Sequence, residues 1–182
     1  EALEIAHRVN VVAFDKTGTL TEGKPTVAHI VSQKLNQDDL LKILVALQKG
    51  SEHPLARAIL DHAKNLNSPT ALNVTTVAGK GIGGQIDGTR YFLGQKRIVP
   101  AGHPLLDEAK KYESLGETVS FLLNQDSNEV YGFVTFKDQL KKEAIETVRF
   151  LKSMQIKTVM ITGDNQGAAK VVADELGIDQ FF

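Results

Sequence analysis

The 182-residue sequence has no cysteine and no tryptophan. Without cysteine there is no disulfide framework and no thiolate metal site, which fits a reducing compartment. A dominant charge is missing too. With 21 Lys and Arg against 22 Asp and Glu, the net charge is −1 and there is no electrostatic footprint for nucleic acid, which is excluded as an expected partner. Long apolar runs are also lacking. The longest in the first half, Ile43 to Leu47, falls far short of the roughly 18 residues that cross a bilayer, so a soluble piece is expected. The chain opens at Glu1 rather than Met and shows no signal-peptide pattern, so it reads as part of something longer. Repeats and low-complexity tracts are absent. What is present, 42% hydrophobic residues, suffices for a core in one domain or two small ones and excludes a wholly disordered chain.

Val9 to Phe14 is a short, β-branched run, the pattern of a buried strand, and it ends at Asp15. From Asp38, Leu40, Ile43, Leu44 and Leu47 recur at helical spacing and Gly50 closes the segment. Pro54 suits the first turn of a second helix, with Leu55, Ala58 and Ile59 on its inner face, so Ser51-Glu52-His53 is the connection of a helical hairpin. From Leu72 to Leu93 the apolar period changes to two, with Asp87-Gly88 as a turn signal for antiparallel strands. A helix at 105–114 follows, then strands at 118–124 and 129–136. The last third predicts a helix containing Leu140, Ala144, Ile145, Val148 and Leu151, a strand at 158–161, a loop at 162–165 and a helix ending at Gly177. That βα alternation marks a parallel sheet, in which the first strand pairs with the strand at Thr158. The expected organisation is an α/β domain of residues 1–25 and 136–182, interrupted by an insertion at 26–135.

Ligands of open parallel sheets bind beyond the carboxyl ends of the strands. Asp15 and Thr162-Gly163-Asp164 both fall at such ends. Asp15 opens Asp15-Lys16-Thr17-Gly18-Thr19-Leu20-Thr21, where a small-residue turn can aim backbone N–H groups at a phosphate and the carboxylate can attack a phosphoryl group to form an acyl phosphate. Two residues on, where a hydrolase would place a second carboxylate as general acid and base, stands Thr17, so the acyl phosphate should persist. A strand-end Asp often only caps a turn, but seven defined residues match by chance with a probability of about 10⁻⁷ over the chain.

The run DKTGTLT resembles the phosphorylation site of P-type ATPases. Thr162-Gly163-Asp164-Asn165 resembles their TGDN loop, in which the Thr contacts the transferred phosphoryl group, and Asp138 with Lys141 resembles their D-x-x-R/K element. Ser51-Glu52-His53-Pro54-Leu55-Ala56 resembles the SEHPLA signature of the heavy-metal-transporting subfamily, whose Glu and His lie at the adenine end of the ATP site. Gly79-Lys80-Gly81-Ile82-Gly83-Gly84 formally satisfies the dinucleotide fingerprint G-x-G-x-x-G, but strand residues follow it instead of a helix, so that reading fails its context. It resembles the subfamily's Gly-x-Gly turn, where missing side chains let adenosine approach the backbone. Gly94-Gln95 lies where the subfamily usually has Gly-Asn.

The resemblance implies an incomplete haloacid-dehalogenase-like (Rossmann-like) parallel-sheet phosphorylation domain, interrupted by an inserted α+β nucleotide-binding domain with an antiparallel sheet. It implies ATP and Mg²⁺ as cofactors and catalytic roles for Asp15, Lys16, Thr17, Thr162, Gly163 and Asp164. Nucleotide contacts would come from Glu52, His53, Gly79, Gly81, Ile82, Gly94 and Gln95, and Mg²⁺ ligands from Asp15 and the Thr17 carbonyl. The implied parent is a copper-exporter-like transporter, on Glu52 before His53 and on Thr21-Glu22-Gly23-Lys24-Pro25, with a P-type ATPase for zinc, cadmium, lead or another ion as the alternative. This piece would lie at the cytoplasmic face of a membrane. Its partners would be the actuator and transmembrane domains of the same chain, the transported ion being met only through the latter. The family's further Mg²⁺-holding GDGxND loop is not in the sequence, so these residues alone are expected to bind ATP yet transfer phosphate poorly. Two rivals from other classes are a soluble phosphatase of the same fold and a non-catalytic nucleotide-sensing module.

Overall fold

The computed structural model describes residues 9–163 and 166–182. Among them run β1 (Val11–Asp15), β2 (Thr26–Ser32), α1 (Gln37–Gln48), α2 (Pro54–His62), β3 (Leu72–Val77), β4 (Gly81–Ile86), β5 (Thr89–Gly94), α3 (Pro104–Glu113), β6 (Thr118–Asn124), β7 (Val130–Lys137), α4 (Lys142–Ser153), β8 (Lys157–Ile161), α5 (Gln166–Leu176) and β9 (Gln180–Phe181). They form two compact units. One comprises the stretch ending at Lys24, Ser114–Gly116 and Asp138–Phe182; the other comprises Pro25–Glu113 and Glu117–Lys137.

The first unit holds a parallel sheet of order β1-β8-β9. Leu20, Val148, Met160, Ala169, Ala173 and Leu176 form its core, joining α4 and α5 to the sheet. The fully buried strand expected at the start differs from the observed one: β1 lies at the sheet edge, its burial alternates, and Val11 is 46% exposed. Leu140, expected inside α4, precedes it and instead bridges Thr21. Gly177, at φ 73°, closes α5 in the left-handed conformation that glycine adopts without a Cβ clash.

The second unit is a six-stranded antiparallel sheet of order β2-β7-β6-β5-β4-β3. Each face carries a core, while the edge strand β3 is exposed along its length. Leu40, Leu44 and Leu47 of α1 and Ile59 of α2 pack with Ile82, Leu93, Leu122, Val134 and Phe136. Phe92, Phe121 and Phe133 pack with Leu105 and Ala109 of α3. Burial on both sides explains why β6 and β7 read as near-continuous apolar runs. Strand β2 is not among the strands expected from sequence. A bulge between Val27 and His29 breaks its period of two, so its apolar residues do not alternate cleanly.

Candidate functional site

In the parallel-sheet unit, Asp15 is the last residue of β1 and is exposed. Its register partner across the sheet is Ile161, after which Thr162 and Gly163 leave β8. The pairing therefore brings Asp15 and the start of the Thr162 loop to one sheet end; Asp164 lies outside the described residues. The Thr162 N–H donates to the Phe182 carbonyl at 2.9 Å.

Lys16–Leu20 follow as one wide turn, interrupted by Thr17 (φ −77°, ψ 121°) and Gly18 (φ 78°). Lys16 is buried despite its charge. The turn is held from within, because the Gly18 N–H donates to Thr21 Oγ1 at 3.2 Å and is thereby already satisfied. Thr21, fully buried, donates from Oγ1 to Asp138 Oδ2 at 2.7 Å, and Asp138 Oδ1 accepts from the Lys24 N–H at 3.2 Å. Lys141 donates from Nζ to the Gly18 carbonyl at 2.5 Å and from its backbone N–H to the Leu20 carbonyl at 2.9 Å. The D-x-x-K element thus laces the turn after Asp15 into one shape. For Mg²⁺ the donor set fits in part. The Asp15 carboxylate and the Thr17 carbonyl are hard oxygens, and ψ 121° takes that carbonyl out of any helical ladder. Among the described residues no group of three or more His, Cys, Asp or Glu is placed to hold a metal ion. Phosphate and water oxygens usually complete such a shell.

In the antiparallel-sheet unit, a cleft of about 210 Å³ opens between the α1–α2 connection and the β3–β5 end of the sheet. His53, Gly79, Gly81, Ile82, Gly94 and Gln95, all expected from sequence, line it together. Glu52 is exposed beside His53 and does not line it. His53 caps α2, accepting at Nδ1 from the Leu55 N–H at 3.2 Å, so a neutral ring carries its proton on the other nitrogen. Gly81 and Gly94 are register partners. A Cβ on Gly81 would overlap the Leu93 carbonyl, and one on Gly94 would overlap the Lys80 carbonyl. These glycines are demanded by the closeness of β4 and β5, whatever ligand approaches. Lys80 lines the cleft and the Arg97 guanidinium lies over Gly79, so two cations stand at its glycine end.

Sequence reasoning missed Gln48, Lys80, Ser120 and Phe136, which also line the cleft. For Gln48 a signal existed. It stands four residues after Leu44 and eight after Leu40, on the buried stripe of α1, where a polar residue asks for a reason.

The model of the haloacid dehalogenase-like hydrolases matches residues 9–182. The chain belongs to that family. The parallel sheet carrying Asp15 and the antiparallel insertion give the mixed α/β architecture expected from sequence. The copper-exporting P-type ATPase B of Archaeoglobus fulgidus is 37% identical over 185 residues, covering 100% of this chain and 26% of that protein. The copper-exporting P-type ATPase of Staphylococcus haemolyticus is 38% identical over 187 residues, covering 99% of this chain and 23% of that protein. A crystal structure of a zinc-transporting PIB-type ATPase in its E2.Pi state superposes with a TM-score of 0.74 at 36% identity, covering 100% of this chain and 30% of that one. The chain thus spans about a quarter of the length of the curated relatives it matches. Among the described residues no helix is long and apolar enough to cross a membrane.

Proposed function

We propose that this chain is the ATP-binding and phosphorylation region of a heavy-metal-translocating P-type ATPase. ATP occupies the cleft around His53 and Gly81, and an Asp15 carboxylate oxygen attacks its γ-phosphorus. The bond to the β-phosphate oxygen breaks, ADP leaves, and an aspartyl phosphate remains. The observation that carries this reading is the placement of Asp15 at the carboxyl end of β1, in register with the strand that delivers Thr162 and Gly163. Mg²⁺ held by the Asp15 carboxylate and the Thr17 carbonyl would supply charge neutralisation at the transferred group. The residues in and around the turn do the rest: Thr21, Asp138 and Lys141 hold it, and Thr162 and Gly163 stand beside the nucleophile. In the parent, the acyl phosphate drives a conformational change in actuator and transmembrane domains, and this region sits at the cytoplasmic face of the membrane.

Copper is the ion we favour, on Glu52 before His53 and the run 21–25. Relatives named for copper and a structure named for zinc lie at 36–38% identity alike, so zinc is the second reading. A phosphatase of the same fold is disfavoured by Thr17, which cannot act as the general base for rapid hydrolysis.

The test is Asp15→Asn in the full-length transporter, incubated with γ-labelled ATP. The isosteric amide is not nucleophilic, so the acid-stable phosphoenzyme should vanish while ATP binding persists. A phosphoenzyme that survives the substitution overturns the assignment.

A further inference from the structure

We infer that Lys80 and Arg97 form a two-cation subsite for the phosphate chain of the bound nucleotide, so that the antiparallel-sheet unit by itself grades nucleotides by their number of phosphates. This rests on the nucleotide reading above and adds to it the two side chains that hold the tail. Lys80 lines the cleft, and an Arg97 guanidinium nitrogen stands 3.5 Å from where a Cβ on Gly79 would be. Among the described residues neither cation has an ion-pair or hydrogen-bond partner for its side chain, whereas their neighbour Lys96 is paired with Glu113 at 3.4 Å. No carboxylate lines the cleft. Charge of one sign along a cleft raises the local concentration of ligands of the other sign, and here that ligand is a polyanion.

The backbone places the pair. The Lys80 N–H donates to the Val77 carbonyl at 2.9 Å, and the Lys80 carbonyl accepts from the Gln95 N–H at 3.4 Å. Arg97 stands two residues after Gln95 on the short 3₁₀ turn Lys96–Ile98, which the Ile98 N–H closes on the Gln95 carbonyl at 3.0 Å. The two side chains therefore spring from segments tied together where β4 begins and β5 ends. The glycine pattern legible in the sequence fixes this turn but leaves residue 80 itself open, and Arg97 lies outside it. Charge then sets the grading, since each further phosphate brings about one more negative charge to the same two cations. The Arg fork can take two phosphate oxygens at once, while the Lys ammonium acts as a point charge. Both residues are exposed, so each contact is modest and weakens with salt.

The experiment titrates the 182-residue chain with ATP, ADP and AMP at low salt, reading dissociation constants by calorimetry and backbone amide shifts by NMR. Wild type should bind ATP about tenfold more tightly than AMP, with ADP between them. Replacing both cations, Lys80→Met with Arg97→Met, should bring ATP and AMP to within about twofold, whereas Lys80→Arg with Arg97→Lys, which keeps both charges, should retain most of the ratio. A wild-type ratio within about twofold overturns the inference, as does a double Met variant that keeps the tenfold ratio; the wild-type series needs no variant to fold. Amide shifts at His53 and Gly94 on adding AMP report separately on the nucleotide site. Their presence without any grading by phosphate number sinks the two-cation subsite alone, whereas their absence with all three nucleotides sinks the site and the inference together.

Discussion

His53 and His103 make the same contact on two different helices. Each accepts at Nδ1 from the backbone N–H of the leucine that follows its proline, at 3.2 Å for Leu55 and 3.3 Å for Leu105. The His-Pro-Leu sequence is therefore a helix-starting device that the chain uses twice, once at the cleft and once away from it. What distinguishes His53 is that its ring lines the cleft.

That separation predicts how two substitutions diverge. Asn is among the strongest N-cap residues, so His53→Asn should hold stability within about 0.5 kcal/mol of wild type while His53→Ala loses about 1 kcal/mol. Both should weaken ATP binding alike, because both remove the ring. Chemical denaturation and ATP titration of the same two proteins check this; full affinity in the Asn variant would leave the ring without a role in the cleft.

The hydroxyl of Thr21 gives the second prediction. It accepts from the Gly18 N–H and donates to Asp138, in the turn that follows Asp15. Thr21→Val should cost about 1–3 kcal/mol by stranding both partners, and Thr21→Ser should recover most of it. In the full transporter the Val variant should lower phosphoenzyme formation at saturating ATP more than it raises the ATP requirement, since the turn and not the cleft is disturbed.

Gly94 and Gly50 form a third comparison. A Cβ at Gly94 meets the Lys80 backbone, whereas one at Gly50 meets open space and only the positive φ of 93° opposes it. Gly94→Ala should therefore cost roughly 2–4 kcal/mol and Gly50→Ala roughly 1–2 kcal/mol. Urea midpoints measure the difference, and equal losses would show that the β4–β5 approach is not what fixes the glycine.

Asp179 predicts a pH dependence. Its Oδ2 accepts from the Thr158 N–H at 2.8 Å and from Thr158 Oγ1 at 3.0 Å. Those bonds, with Lys152 at 3.7 Å adding to them, hold the carboxyl below its ordinary range. A depressed folded-state value stabilises fully above the unfolded value of about 3.9 and is lost as pH falls through the lower folded one. Asp179→Asn should flatten the decline in stability below about pH 4. Melting curves from pH 7 to 2 would show it, and parallel acid limbs in the two proteins would refute it.

Much of this was legible in the residues because local signals and global packing agree. The strand ending in Asp15, the α1–α2 hairpin around Pro54 and the period-two run up to Leu93 each appear close to where the pattern puts them. The misses have physical causes. Strand β2 hides behind its bulge after Val27, and β9 is two residues long, too short to carry a period. The edge position of β1 is set by how many strands join the sheet, which no local pattern encodes. At the cleft, motif matching found the loop and turn residues but passed over Gln48, since a helix-end glutamine belongs to no motif and only its burial singles it out.

Thr26 and Lys137, 111 positions apart, are hydrogen-bonded neighbours on β2 and β7. The antiparallel lobe accordingly enters and leaves through adjoining strands, with its own core on each face of the sheet. Such a module can be excised at that seam, or its termini relocated to an exposed tip such as Asp87-Gly88 by joining the old ends with a short linker, without unthreading any strand.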